Sequence, residues 1–318
     1  MRMLFLAMIS IFLLGYSAPR PSEVETLWSV DWSPNGKYVA AGGEFSELRI
    51  FNKGLKVQKA YPIANTITNL QWHPYEPNLL AVATQGDVAG VYLVNTKTDN
   101  IKSINGINKH GARGLDWNNE GSLLGIADNE GLVSIADKKG KVIHTVKKQN
   151  TRSYTTFDWH PTEDKFLVGG EFIRMYDLEG NLLLKKAHRE EPSLILCIQW
   201  HPSGSFFAVG DYGDHSKDLS PVVQYWTIDG VMTQQMQAGE IEYRNIVWNK
   251  EGTELTSASD ALRTWSTDGT LIRELTSARP LWGLSLNPDE NRIVTSDISG
   301  KLFLLDHKEG KLRKKRNF

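Results

Sequence analysis

The stretch Val30-Asp31-Trp32-Ser33-Pro34-Asn35-Gly36-Lys37-Tyr38-Val39-Ala40-Ala41-Gly42-Gly43 decides how the rest of the chain is read. Val30 and Trp32 fall on one side of an extended strand and Asp31 on the other. Ser33 to Gly36 is turn chemistry, because Pro presets φ and Gly accepts a positive one. Tyr38–Ala41 then opens a second apolar strand. The same grammar returns at Leu70-Gln71-Trp72-His73-Pro74, Leu115-Asp116-Trp117-Asn118 and Phe157-Asp158-Trp159-His160-Pro161. It continues at Ile198-Gln199-Trp200-His201-Pro202 and Ile246-Val247-Trp248-Asn249, and closes with Leu for Trp at Leu284-Ser285-Leu286-Asn287-Pro288.

The anchors at 32, 72, 117, 159, 200, 248 and 286 lie 40, 45, 42, 41, 48 and 38 residues apart. A period of about 40–45 residues predicts units of four strands each. Third strands end in an apolar residue followed by a small polar one, as in Phe51-Asn52, Tyr176-Asp177, Trp226-Thr227, Trp265-Ser266 and Leu305-Asp306. A more polar fourth strand follows, for example Lys141–Val146 or Leu182–Lys186. The expectation is an all-β chain: a seven-bladed β-propeller of four-stranded antiparallel blades, built as one domain over residues 19–316.

These units resemble WD repeats, with the terminal Trp-Asp pair of that family replaced by Tyr-Asp, Trp-Ser or Leu-Asp. The resemblance covers residues 25–315 and concerns the fold, which carries no single chemistry. It implies a Gly-His pair ahead of each inner strand, hydrogen-bonded to an Asp between the second and third strands. Here only His110 and His188 precede an anchor in that way, so the buried polar tetrad is expected to be largely missing. Family members commonly complete the last blade with a strand from the other chain end, which removes exposed edges. For blade seven the outer strand is either Lys311–Lys315 or a stretch around Val24.

Composition bounds the functional classes. The 318 residues are 40% hydrophobic and 23% charged with a formal net charge of −1, an ordinary globular balance. No global field favours nucleic acid or an anionic membrane. The one cysteine, Cys197, cannot form an intrachain disulfide or a cysteine-based metal site and reads as a core residue. Arg2, the apolar run Leu4–Leu14 and the small residues near Gly15–Ala18 have the pattern of a secretory signal over residues 1–18. The chain is therefore expected to be secreted or periplasmic, with no stable membrane insertion once the signal is removed. A cytoplasmic protein with an uncleaved apolar start is the alternative. Six basic residues between 308 and 316 read as a solvated outer strand, an anionic partner being the sharper reading.

No nucleophile elbow, zincin motif or phosphate loop is present in the sequence. His73, His160 and His201 share the His-Pro turn, and repetition there points to structure. The longest insertion, Asp211–Pro221 in blade five, contains Asp211, Asp214, His215 and Asp218 and reads as a solvated polar loop that could contact a partner. Four residues before each anchor stand Trp28, Thr68, Arg113, Thr155, Leu196, Arg244 and Trp282. Alternation puts them on the anchor's side near the strand start. Trp and Arg are the types enriched where partners bind. The candidate face comprises Trp28, Arg113, Arg152, Tyr154, Arg189, Tyr212, His215, Tyr243, Arg244, Arg279 and Trp282. It predicts a non-catalytic scaffold for a protein or peptide, needing no cofactor and binding no nucleic acid. The competing expectation is a propeller hydrolase or lactonase with a channel metal. It rests on Asp31, Asp116, Asp158, Gln71 and Gln199, each one residue before an anchor; bonds from these slots to backbone between blades are the simpler use.

Overall fold

A computed structural model describes residues 25–318 apart from 88, 147, 149, 150 and 152. The expected export signal lies outside the described residues. Twenty-eight strands form seven four-stranded antiparallel sheets, each ordered consecutively from the channel outwards. The inner strands run Leu27–Trp32, Thr66–Trp72, Ala112–Trp117, Tyr154–Trp159, Ile195–Trp200, Asn245–Trp248 and Leu281–Leu286. All seven thus end on the anchor position read from the sequence. No helix among the described residues is long and apolar enough to cross a membrane.

There is no single core. Seven apolar clusters each fill one seam between neighbouring blades, with Trp72, Trp117 and Trp32 at the centre of three of them. Both faces of every sheet are covered, so the middle strands read as continuous apolar runs such as Phe206–Val209. Among the described residues the seam between blades six and seven is the poorest, with five buried apolar residues against nine to eleven elsewhere. It is also the seam where Leu286 stands for Trp and Val247 for a polar slot residue.

The slot residues tie blades together. Each inner strand has one free edge towards the channel, whose N–H groups need acceptors. Asp31 Oδ2 accepts from the Trp72 amide at 2.8 Å, Asp116 Oδ2 from Trp159 at 3.0 Å and Asp158 Oδ2 from Trp200 at 2.6 Å. Gln199 Oε1 accepts from Trp248 at 2.9 Å, and Ser285 Oγ from Trp32 at 3.2 Å. Each bond is worth about 1 kcal/mol net. In the turns directly after the anchors, the His-Pro histidines make a second set. Nδ1 of His160 accepts the amides of Thr162 and Glu163, so the proton sits on Nε2 and is donated to the Gly204 carbonyl of the next blade at 3.0 Å. His73 reaches Gly121, and His201 reaches Gly252, both at 2.8 Å.

Blade seven takes its outer strand, Leu312–Asn317, from the C-terminus, so every blade is continuous in sequence. This departs from the strand exchange the resemblance implies. The ring closes instead by side chains: Ser285 Oγ donates to Asp31 Oδ1 at 3.0 Å and Ser296 Oγ to the Leu27 carbonyl at 3.0 Å. Phe318 leaves blade seven to pack against Phe45, centroids 4.5 Å apart and planes tilted by 45°, under the Arg49 guanidinium at 4.3 Å.

The tetrad is not wholly lost. In blade five His188 Nε2 meets Asp211 Oδ2 at 3.0 Å, both buried, while Arg189 Nε lies 2.6 Å from the same oxygen. Gln224 bonds the His188 carbonyl and the Trp226 indole. In blade six Trp265 Nε1 still donates to Ser257 Oγ at 2.9 Å. His110, by contrast, is at the surface, 3.8 Å from Glu130.

Candidate functional site

All seven ring positions line one cavity of about 140 Å³ at the mouth of the channel. Strand alternation alone would have turned these side chains into the seams beside the anchors. The register shows why it does not: pairing with the second strand skips Trp28, Thr68, Arg113, Thr155, Leu196 and Trp282 in turn. Each is the unpaired residue of a β-bulge, which re-aims a side chain away from the regular pleat. Arg244 does the same by standing just ahead of its strand, Asn245–Trp248.

Trp28 and Trp282 meet edge to face, centroids 4.8 Å apart at 89°. The Arg244 guanidinium carbon lies 4.1 Å from the centroid of Trp282 and 5.8 Å from that of Trp28. Arg113 covers Trp28 at 5.2 Å. Trp28 and Trp282 belong to blades one and seven, Arg113 and Arg244 to blades three and six, so four blades converge on one cluster. Arg113 Nε donates to the neutral Gln85 Oε1 at 2.9 Å, and Arg244 Nε to Glu242 Oε1 at 3.1 Å. Burial and the charge of Arg244 hold the Arg113 pKa below its ordinary value. Trp28 Nε1 points to Glu44 Oε1 at 3.4 Å, whereas Trp282 Nε1 is buried without a hydrogen-bond partner.

The other candidates divide. Tyr154 is 1% exposed and bonds Tyr176 through its hydroxyl, and Tyr243 is fully buried with its hydroxyl accepting the Gly239 amide. Both are core residues and are withdrawn from the face; an aromatic at the start of an inner strand is drawn into the seam when the bulge falls on its neighbour. Arg189 is spent on Asp211 and on the Ser220 carbonyl, anchoring the insertion. Tyr212, His215 and Arg279 are exposed but do not line the cavity. Arg152 lies outside the described residues. Cys197 is a buried residue of the wall, its thiol pushed up by burial and donating to the Tyr243 carbonyl at 3.3 Å.

Burial raises the carboxyls of Asp31 and Asp116 to about 7, and that of Asp158 well above the ordinary range, partly through the neighbouring Asp116. Each is partly buried. Their acceptor oxygens are committed to tryptophan amides, as the simpler reading of the slots expects. The insertion is likewise self-contained: Asp214 caps a short turn of helix over His215–Lys217 and pairs with Lys217 at 3.1 Å. Among the described residues no three His, Cys, Asp or Glu side chains are grouped to hold a metal ion.

The family model for the WD domain, G-beta repeat, matches residues 21–47 and 181–216. The first segment holds the inner strand of blade one with Trp28. The second spans His188 and Asp211, the blade where the buried polar pair survives. Two matched repeats and seven four-stranded blades together support the WD-repeat propeller family for this chain. Propellers of this family generally bind proteins.

Proposed function

We propose that this protein is an exported, non-catalytic scaffold that receives a protein or peptide segment at the channel mouth. The observation that carries the reading is the convergence of Trp28, Trp282, Arg113 and Arg244, from four blades, on one cavity. Rigid aromatic and guanidinium groups held by a closed ring lose little entropy on binding, which is what an interface hot spot requires. The exposed Tyr212 extends the same face beyond the cavity. Export is supported by the basic start and apolar run of residues 2–14.

The test is capture of a partner from the native compartment by a photo-crosslinker placed at Thr68, at the cavity rim. The triple variant Arg113→Ala, Arg244→Ala, Tyr212→Ala should lose the cross-linked product while its melting temperature stays nearly unchanged. Undiminished capture by that variant overturns the assignment of this face. N-terminal sequencing of the mature protein checks export, and an intact Met1 in a cytoplasmic fraction refutes it.

A further inference from the structure

The chemistry of the cavity narrows what can enter it. Its charged side chains are Arg113, Arg244 and one acid, Asp158. Arg113 offers its terminal nitrogens, since only Nε is bonded, and to a neutral amide oxygen. Arg113 has no ion pair among the described residues, and Arg244 has one, made through Nε to Glu242. Two guanidinium groups are thus held over one pair of indoles, close enough that Arg244 adds to the cost of charging Arg113. Trp282 Nε1 is a buried donor without a hydrogen-bond partner among the described residues, as are Nε1 of Trp32, Trp200 and Trp248. The lining amides Asn69, Gln71, Gln199 and Asn245 are neutral. The one acid in the wall, Asp158, is committed to the Trp200 amide.

Size narrows it again. About 140 Å³ holds a few water molecules or one small planar group with its stem. A second cation is repelled by both arginines. A planar anion suits them, because a guanidinium presents parallel N–H groups at carboxylate spacing.

Resting on the reading of the channel mouth as a peptide receptor, we propose that the group received between Arg113, Arg244 and Trp282 is a carboxylate of the bound segment. It comes either from an acidic side chain or from a free C-terminus. The indoles pack on its stem and the two arginines take its oxygens.

The experiment uses the purified full chain and needs no partner. Indole nitrogen-15 resonances are followed by NMR, with that of Trp282 assigned by its loss in Trp282→Phe. Three probes are titrated at fixed salt: acetyl-Gly-Glu-Gly-amide, acetyl-Gly-Gln-Gly-amide, and acetyl-Gly-Gly-Gly with a free carboxylate. Inorganic phosphate is the fourth. A saturable shift of the Trp282 resonance is expected with the Glu peptide or the free-carboxylate peptide, and the stronger of the two identifies the source. The Gln peptide should bind at least tenfold more weakly, as should the carboxylates to Arg113→Ala/Arg244→Ala. If that variant does not fold, the comparison of the stronger carboxylate probe with the Gln peptide on the parent protein decides alone. A Gln-peptide response equal to that of the stronger carboxylate probe, no saturation with either carboxylate up to tens of millimolar, or tighter binding of phosphate would overturn the proposal. Partner capture that fails in the cross-linking test while these shifts persist would remove the scaffold reading and leave the carboxylate site. Capture that succeeds while the shifts are absent would do the reverse.

Discussion

Replacing Gly204 by Ala tests the histidine ties between blades, because the structure supplies its own control. Gly204 sits at φ +72°, and a Cβ there would lie 2.4 Å from Cε1 of His160 and 2.5 Å from Nε2. Gly36 occupies the corresponding turn of blade one at φ +63°, but a Cβ there meets only Pro288, at 3.6 Å. The left-handed backbone costs about 1–2 kcal/mol in either variant. Both recover about 0.4–1 kcal/mol from the stiffer unfolded chain. Gly36→Ala should therefore lose about 1 kcal/mol or less. In Gly204→Ala the imidazole of His160, which is 4% exposed, must also be displaced. That forfeits its bond to the Gly204 carbonyl and strands a buried donor, adding about 1–3 kcal/mol. Urea-unfolding midpoints of the two variants measure the difference. A cycle with His160→Ala isolates the pair, and its coupling should reach about 1 kcal/mol or more. Equal losses at positions 36 and 204, or a coupling near zero, would show that His160 is a turn residue only and ties nothing across the seam.

Burial raises Asp31 and Asp116 to about 7 from 3.8, so the folded state holds protons that the unfolded chain has already released between those values. Their contribution to stability is therefore full below about pH 4 and is lost as pH rises towards 7. Asp116→Asn should flatten that part of the profile and be at least as stable as the parent at pH 8, read from urea midpoints across pH 4.5–8; a steeper profile contradicts the assignment. His73 and His160, whose pKa values burial lowers, act in the opposite sense in both proteins and cancel in the comparison. Deleting Phe318 removes its packing against Phe45 and its contact with Arg49 and should cost about 1–2 kcal/mol. No change in the thermal midpoint would mean the ring closes without it. Hydrogen exchange should be fastest, among inner-strand amides, at Asn245–Trp248 and Leu281–Leu286, where the seam has neither a Trp anchor nor a polar slot. Uniform protection across the seven inner strands would refute this ranking of seams.

The anchors and slots were legible because each is a local pattern repeated seven times. Six Trp and one Leu end the inner strands where the spacing put them, and Asp31, Asp116, Asp158 and Gln199, each before an anchor, bond backbone across the seam as their repetition suggested. The insertion fell between the second and third strands of blade five for the same reason. The tetrad was expected to be largely missing, and its His–Asp pair is kept in blade five. His188 and Asp211 are 23 residues apart, and only the folded blade shows that they touch. Tyr154 and Tyr243 looked like neighbours of the ring, yet one residue's difference in bulge placement sends them into the core.

The sequence by itself determined the number of blades, their strand order and the residues of the ring, since these follow from period and alternation along the chain. Tertiary structure alone decided where the ring points. A bulge leaves its residue out of the ladder, and a break in register has no signature in a pattern of apolar and polar letters. Tertiary structure alone also decided that Trp28 and Trp282, 254 residues apart, meet edge to face beneath two arginines. Closing the ring sets that contact, because the first blade can touch the last only when all seven are in place.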